Sequence, residues 1–268
     1  MENPNLFFTP IEQIIGFENI KEIESIDESE FLSSFPKDWG PDRVVSLRDR
    51  DTPVKRQWNG TCTSFATTAA IENKLGGVYE LSERSLWDFY GKASTSTAIR
   101  SAQDNFILEE EYWPQNQSRI GEDVEKLGRF RISKVISLKR DYLAVLKAID
   151  KGNPCIVALS TPRDLSNGHK QVESSSKVSR RGGHAMCVSG YKVEKGRCYF
   201  LVKNSWGTKK GDGGYQYIAF DLYKSRKKRK RYCIFWEVIE IEEREMLSIR
   251  ESSIEEIRPD FAAYWEFD

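Results

Sequence analysis

The stretch Gln57-Trp58-Asn59-Gly60-Thr61-Cys62-Thr63-Ser64-Phe65-Ala66 constrains this chain more than any other. A glycine-bearing turn there delivers a cysteine to the start of a predicted helix. The helix is expected over about residues 62 to 75, with Phe65, Ala66, Ala69, Ala70 and Leu75 supplying apolar surface. A thiol at a helix N-terminus faces backbone N–H groups and the positive end of the helix dipole, and both favour the thiolate. Two later stretches supply a base and a group to orient it. Gly182-Gly183-His184-Ala185-Met186 and Lys203-Asn204-Ser205-Trp206-Gly207 are each predicted at a strand end.

Charge and length exclude several alternatives. Lysine plus arginine and aspartate plus glutamate both number 41, so no net field recruits a nucleic acid or an anionic membrane. The 268 residues are enough for one large domain or two lobes with a substantial core. No apolar run is long enough to span a bilayer. Residues 1 to 20 carry Glu2, Glu12 and Glu18 with no basic region before an apolar block. They do not read as a signal peptide, and a cytoplasmic location is expected. The cysteines are Cys62, Cys155, Cys187, Cys198 and Cys233. The last four lie in apolar, strand-like surroundings and are read as buried free thiols. Two widely spaced histidines and scattered cysteines lack the spacing of a zinc site, so no metal and no cofactor is expected.

Taken in order, residues 1 to 40 form an acidic N-terminal extension with short amphipathic isoleucine patterns. It is read either as a pro-segment over a cleft or as an extension packed on the back of the fold. Residues 41 to 56 are extended. A second helix is expected over 81 to 92 and a third over 98 to 104, followed by a polar loop over 115 to 131. Leu143, Leu146 and Ile149 fall at helical spacing, and Cys155 to Leu159 reads as a buried strand after Gly152-Asn153-Pro154. Residues 161 to 181 form a long polar loop, read as a surface loop or a substrate-contacting flap. Strands are then expected over 184 to 191, 198 to 203, 215 to 220 and 232 to 241. The basic run from Lys224 to Arg231 is read as a solvated hairpin loop, with a polyanion-binding patch as the alternative. An acidic and aromatic C-terminal extension occupies 242 to 268, leaving 41 to 241 as the main domain.

The cysteine, histidine and asparagine blocks resemble the active-site blocks of the papain family of cysteine peptidases. Thr52-Pro53-Val54-Lys55, Leu81-Ser82-Glu83 and Gly211-Asp212-Gly213-Gly214-Tyr215 resemble further family segments in the same order. The resemblance covers about residues 45 to 220. It implies an α+β, two-lobed fold: a helical lobe, an antiparallel β-barrel-like lobe and an active site in the cleft between them. It also implies a peptidase acting on a peptide or protein substrate through a thiolate–imidazolium pair and an acyl-thioenzyme.

On this resemblance Cys62 is the nucleophile, His184 the proton shuttle and Asn204 the group that fixes the imidazole. His184 and Asn204 follow Cys62 by about 120 and 140 residues, near the family's range. The oxyanion hole is assigned to the Cys62 N–H and the Gln57 side chain, with Asn59 as the alternative donor. Trp206 shields the His–Asn bond, and Gly183 borders the substrate. His169 is read as a surface residue. Four departures from the family pattern stand out. Gln57 stands five residues before Cys62, one fewer than in the family. Thr63 replaces the tryptophan after the nucleophile, and no Cys-Asn-Gly-Gly groove element follows the second helix. Asn59 occupies the position where extracellular relatives carry a disulfide-bonded cysteine, which agrees with a reducing compartment. The alternatives are a catalytically silent papain-like scaffold that binds peptides or partners, and a transamidating acyltransferase with the same triad.

Overall fold

The structure is a computed structural model that describes residues 9–10, 42–58, 60–91, 94–117, 124–194, 197–223 and 232–244. Most of the acidic N-terminal stretch, Asn59, the basic run and the C-terminal tail beyond 244 lie outside the described residues.

Helix α1 spans Cys62–Lys74, one residue short of the expected end. Every residue from Cys62 to Asn73 is buried, so α1 is a central helix rather than an amphipathic surface one. Its hydroxyl residues are tolerated there because Thr67 and Thr68 donate to the Thr63 and Ser64 carbonyls, and Ser64 donates to the Glu83 carbonyl. Two further helices follow, α2 over Glu83–Tyr90 and α3 over Thr95–Asp104. Ser82 caps α2 by accepting from Ser85 N, and Ser94 caps α3 by accepting from Thr97 N. Helix α4 covers Tyr142–Asp150, capped by Asp141, and a one-turn helix α5 covers Arg163–Asn167.

The strands are β1 (Thr9–Pro10), β2 (Arg43–Ser46), β3 (Phe130–Lys139), β4 (Cys155–Pro162), β5 (Gln171–Val172), β6 (Val178–Glu194), β7 (Arg197–Lys203), β8 (Tyr215–Ala219) and β9 (Cys233–Glu243). They form one open sheet in the order β3-β9-β4-β6-β7-β8-β5, with β1 and β2 also pairing to β6. All pairings are antiparallel except β5 with β8.

Alternation along the central strands divides the interior in two. Cys155, Val157 and Leu159 of β4 join Met186, Val188 and Phe235 in one core, which α4 covers with Val145, Leu146 and Ile149. Ile156 and Ala158 join Ala185, Cys187, Ile234 and Trp236 in the other, which is covered by Ala66, Ala70 and Ile71 of α1. The expected order of helical half and then sheet half holds for the main elements, with three differences. The sheet does not close into a barrel. Strand β3, unassigned in the sequence, starts at the end of the expected 115–131 loop. The 161–181 loop contains α5 and β5 and buries Leu165 and Val172 fully, because apolar residues in a nominally polar loop pull it onto the sheet.

Candidate active site

Gly60 turns the chain into α1 with φ near +65°, a conformation that favours glycine. Thr61 then ties the turn, its hydroxyl donating to the Trp58 carbonyl at 2.7 Å. Cys62 is therefore the first helical residue, in the turn whose backbone N–H groups point out of the helix N-terminus. The side chain is fully buried and shares a core with Ala185, the residue after His184.

His184 lies inside β6, which begins at Val178, and not at the strand end expected from the sequence, and it is also fully buried. Its Nε2 sits 2.9 Å from Asn204 Oδ1. The orientation of the Asn204 amide follows from its other partners. Oδ1 also accepts the Ser205 backbone N–H at 2.7 Å, and Nδ2 donates to Gln216 Oε1 at 2.8 Å. Since Oδ1 can only accept, Nε2 of His184 carries a proton. Nδ1 is left without a hydrogen-bond partner, free to act as a base. The Trp206 indole stacks on the imidazole with centroids 4.2 Å apart and planes 19° apart.

Burial lowers the His184 pKa to about 4, and the Asn204 bond opposes that shift. This environment therefore holds a neutral imidazole. The thiolate–imidazolium pair expected from the sequence requires the charge of the Cys62 thiolate to offset the desolvation.

Gln57 is buried, and its Oε1 accepts from Ser205 Oγ at 2.6 Å. Its Nε2 has no hydrogen-bond partner, which leaves an amide donor for an oxygen that develops charge. The alternative donor, Asn59, lies outside the described residues. Gly183 is paired on both sides, with Ser160 of β4 and with Thr9 of β1. His169 is exposed, as read.

The sequence reading missed two parts of the site. One is Gln216, a polar residue in an apolar strand, which would have stood out only as a break in the β8 pattern. The other is a buried charge cluster beside α1. Lys55 Nζ lies 3.1 Å from Glu83, 3.3 Å from Glu110 and 3.9 Å from Glu72, while Lys203 Nζ lies 3.8 Å from Glu72. Lys55 and Glu83 entered the sequence reading only as markers of resemblance. A cavity of about 20 Å³ separates this cluster from Asn204 and Ser205, room for a water and not for a peptide. Among the described residues no cluster of histidine, cysteine, aspartate and glutamate has the arrangement of a metal site.

A cysteine opening a buried helix, set against a sheet that carries a hydrogen-bonded histidine–asparagine pair, defines the cysteine-peptidase class of fold and site. The papain family cysteine protease profile matches residues 42–233, and the chain belongs to that family. It is 31% identical over 201 residues to cysteine proteinase 3 of Solanum lycopersicum, covering 67% of this chain and 54% of that protein. It is 28% identical to pro-cathepsin H of Mus musculus, covering 61% and 55%. The chain thus spans about half the length of these relatives. Xylellain, a cysteine protease from Xylella fastidiosa, shares the fold with a TM-score of 0.64 at 16% identity, covering 89% of this chain and 98% of its own. Bromelain from Ananas comosus, solved with the E64 inhibitor, gives a TM-score of 0.55 at 22% identity, covering 74% of this chain and 99% of its own.

Proposed function

We propose that the chain is a cysteine peptidase that hydrolyses peptide bonds through Cys62, His184 and Asn204. The carrying observation is the Asn204–His184 bond, which fixes the proton on Nε2 and leaves Nδ1 as the base. His184 Nδ1 takes the Cys62 proton, forming the thiolate–imidazolium pair. The thiolate attacks the substrate carbonyl, and the oxyanion is held by Gln57 Nε2 and the Cys62 N–H. As the C–N bond breaks, the imidazolium gives its proton to the leaving amine. His184 then takes a proton from water, the resulting hydroxide attacks the thioester carbonyl, and the C–S bond breaks to restore the thiol. Trp206 keeps water from the His–Asn bond.

The test is labelling with an epoxysuccinyl thiol probe, read by intact and peptide mass. Stoichiometric labelling of Cys62 that Cys62→Ala and His184→Ala both abolish is the expected result. A folded protein whose Cys62 does not label would overturn the reading in favour of a silent binding scaffold. Product analysis with an added amine separates hydrolysis from transamidation.

A second observation favours latency. Thr9 and Pro10 pair antiparallel with Gly183 and Gly182, immediately before His184, while Cys62 and His184 are both fully buried. The N-terminal extension then acts as a pro-segment that occupies backbone a substrate would otherwise reach. No disulfide joins the cysteines among the described residues, which supports a reducing, cytoplasmic location.

A further inference from the structure

Gln216 lies on β8 opposite Val202 of β7 and is fully buried. A primary amide in that position is costly unless its donors and acceptor are used. All are. Oε1 accepts from Asn204 Nδ2 at 2.8 Å, and Nε2 donates to the carbonyls of His169 at 2.7 Å and Leu165 at 3.2 Å. Those two carbonyls bracket the end of α5 and are themselves fixed. The Gly211 N–H donates to the Gly168 carbonyl at 3.1 Å, and the Tyr217 N–H to the Lys170 carbonyl at 2.8 Å. Space for the Gln216 side chain depends on Gly211, where a Cβ would fall 2.4 Å from Gln216 Cγ.

The direction of the Gln216 amide is thus set by two carbonyls that can only accept. Its oxygen must face Asn204, so Nδ2 of Asn204 must face Gln216 and Oδ1 must face His184. A flipped Asn204 would set its NH2 against His184 Nε2, which would drive the imidazole proton to Nδ1 and remove the base. We propose that Gln216 is a positioning residue that, together with the Ser205 N–H on Oδ1, locks the Asn204 amide, and through it the His184 tautomer, to the turn after α5. The proposal deepens the assignment of Cys62, His184 and Asn204 and rests on it.

Gln216→Met keeps length and approximate volume but can neither accept nor donate as the amide does. Two readouts on the full chain test it. The first is 15N NMR of histidine-labelled protein, with His169→Gln identifying the His184 signals. Wild type is expected as the Nε2–H tautomer, and Gln216→Met as a mixture of both tautomers. The second is the epoxysuccinyl labelling rate of Cys62, expected to fall on the order of ten- to a hundredfold, the scale of a misaligned reacting group. Gln216→Glu in its protonated form keeps an acceptor for Asn204 and one donor for His169, so it should restore most of the rate at low pH. An unchanged tautomer with a labelling rate within about twofold of wild type would overturn the proposal. If Gln216→Met does not fold, the pH profile of Gln216→Glu decides: a new inflection as its carboxyl ionises is expected, and a profile superimposable on wild type overturns it. A tautomer change on Gln216→Met in a protein whose Cys62 never labels would support the positioning role and sink the peptidase assignment alone.

Discussion

Gln57 and Ser205 are joined twice. Ser205 Oγ donates to Gln57 Oε1 at 2.6 Å, and Gln57 N donates to the Ser205 carbonyl at 2.7 Å. The pair brings the turn before α1 onto the segment that follows β7, so the proposed oxyanion donor and the residue next to Asn204 move as one unit. Gln57→Glu keeps the acceptor for Ser205 but loses the donor. It should fold normally, with kcat lowered by about 10²- to 10³-fold and KM little changed. Steady-state kinetics on a fluorogenic peptide check this, and an unchanged kcat would remove Gln57 from the oxyanion hole.

Burial places the His184 pKa near 4, below its ordinary value of 6.5. Protonation below that point removes the base proposed to activate Cys62, so the acid limb of Cys62 labelling should fall near pH 4. The same shift enters stability with a definite sign. The unfolded chain binds the proton more readily, so the contribution of a neutral His184 is complete above about pH 6.5 and is lost as pH falls through about 4. Thermal unfolding between pH 7 and 4 should therefore be less pH-dependent in His184→Gln than in wild type.

Lys55 and Lys203 are the cations of a buried cluster, and the Lys55 ammonium also donates to the Leu81 carbonyl at 3.1 Å. Burial pulls its pKa down, but Glu83, Glu72 and Glu110 more than offset this and raise it. Lys55→Met would leave Glu83 and Glu72 buried without that partner. A loss of about 3–5 kcal/mol is expected, measured by urea unfolding. Glu110→Gln should cost much less, because Lys55 keeps Glu83 and Glu72 and Glu110 is partly exposed.

Deleting residues 1 to 10 removes the β1 pairing and uncovers the backbone of Gly182 and Gly183. If that pairing maintains latency, the labelling rate of Cys62 should rise by about tenfold or more, since the loss of even two strand hydrogen bonds worth about 1 kcal/mol each shifts the open population by that order. Equal rates in the full and shortened chains would show that β1 is structural.

The site was legible in unequal parts. Cys62, His184, Asn204 and Trp206 stood in short blocks whose composition announces them: a glycine turn before a helix, paired glycines before a histidine, an Asn-Ser-Trp-Gly run. Gln57 was less legible, because it stands five residues before Cys62, one fewer than in the family pattern. The helix over 95–104 was read three residues short, because Thr95 lacks an apolar signal and the cap at Ser94 is visible only in its hydrogen bond to Thr97. Strand β3 went unread because only Phe130 and Ile132 of its residues are buried, so its exposed half carries no strong alternation.

The sequence by itself determined the chemistry-bearing residues, their order and the class of fold, since nucleophile helix, histidine strand and asparagine turn are each local patterns. Tertiary structure alone decided which polar groups hold them in register. Gln216 reaches Asn204 across neighbouring strands, Lys55 meets Glu72, Glu83 and Glu110 from separate segments, and Thr9 returns to Gly183. Each of these contacts joins separate segments of the chain. Their strength comes from burial, which only the packed structure sets and which turns an ordinary amide or ammonium into a group that must be paired.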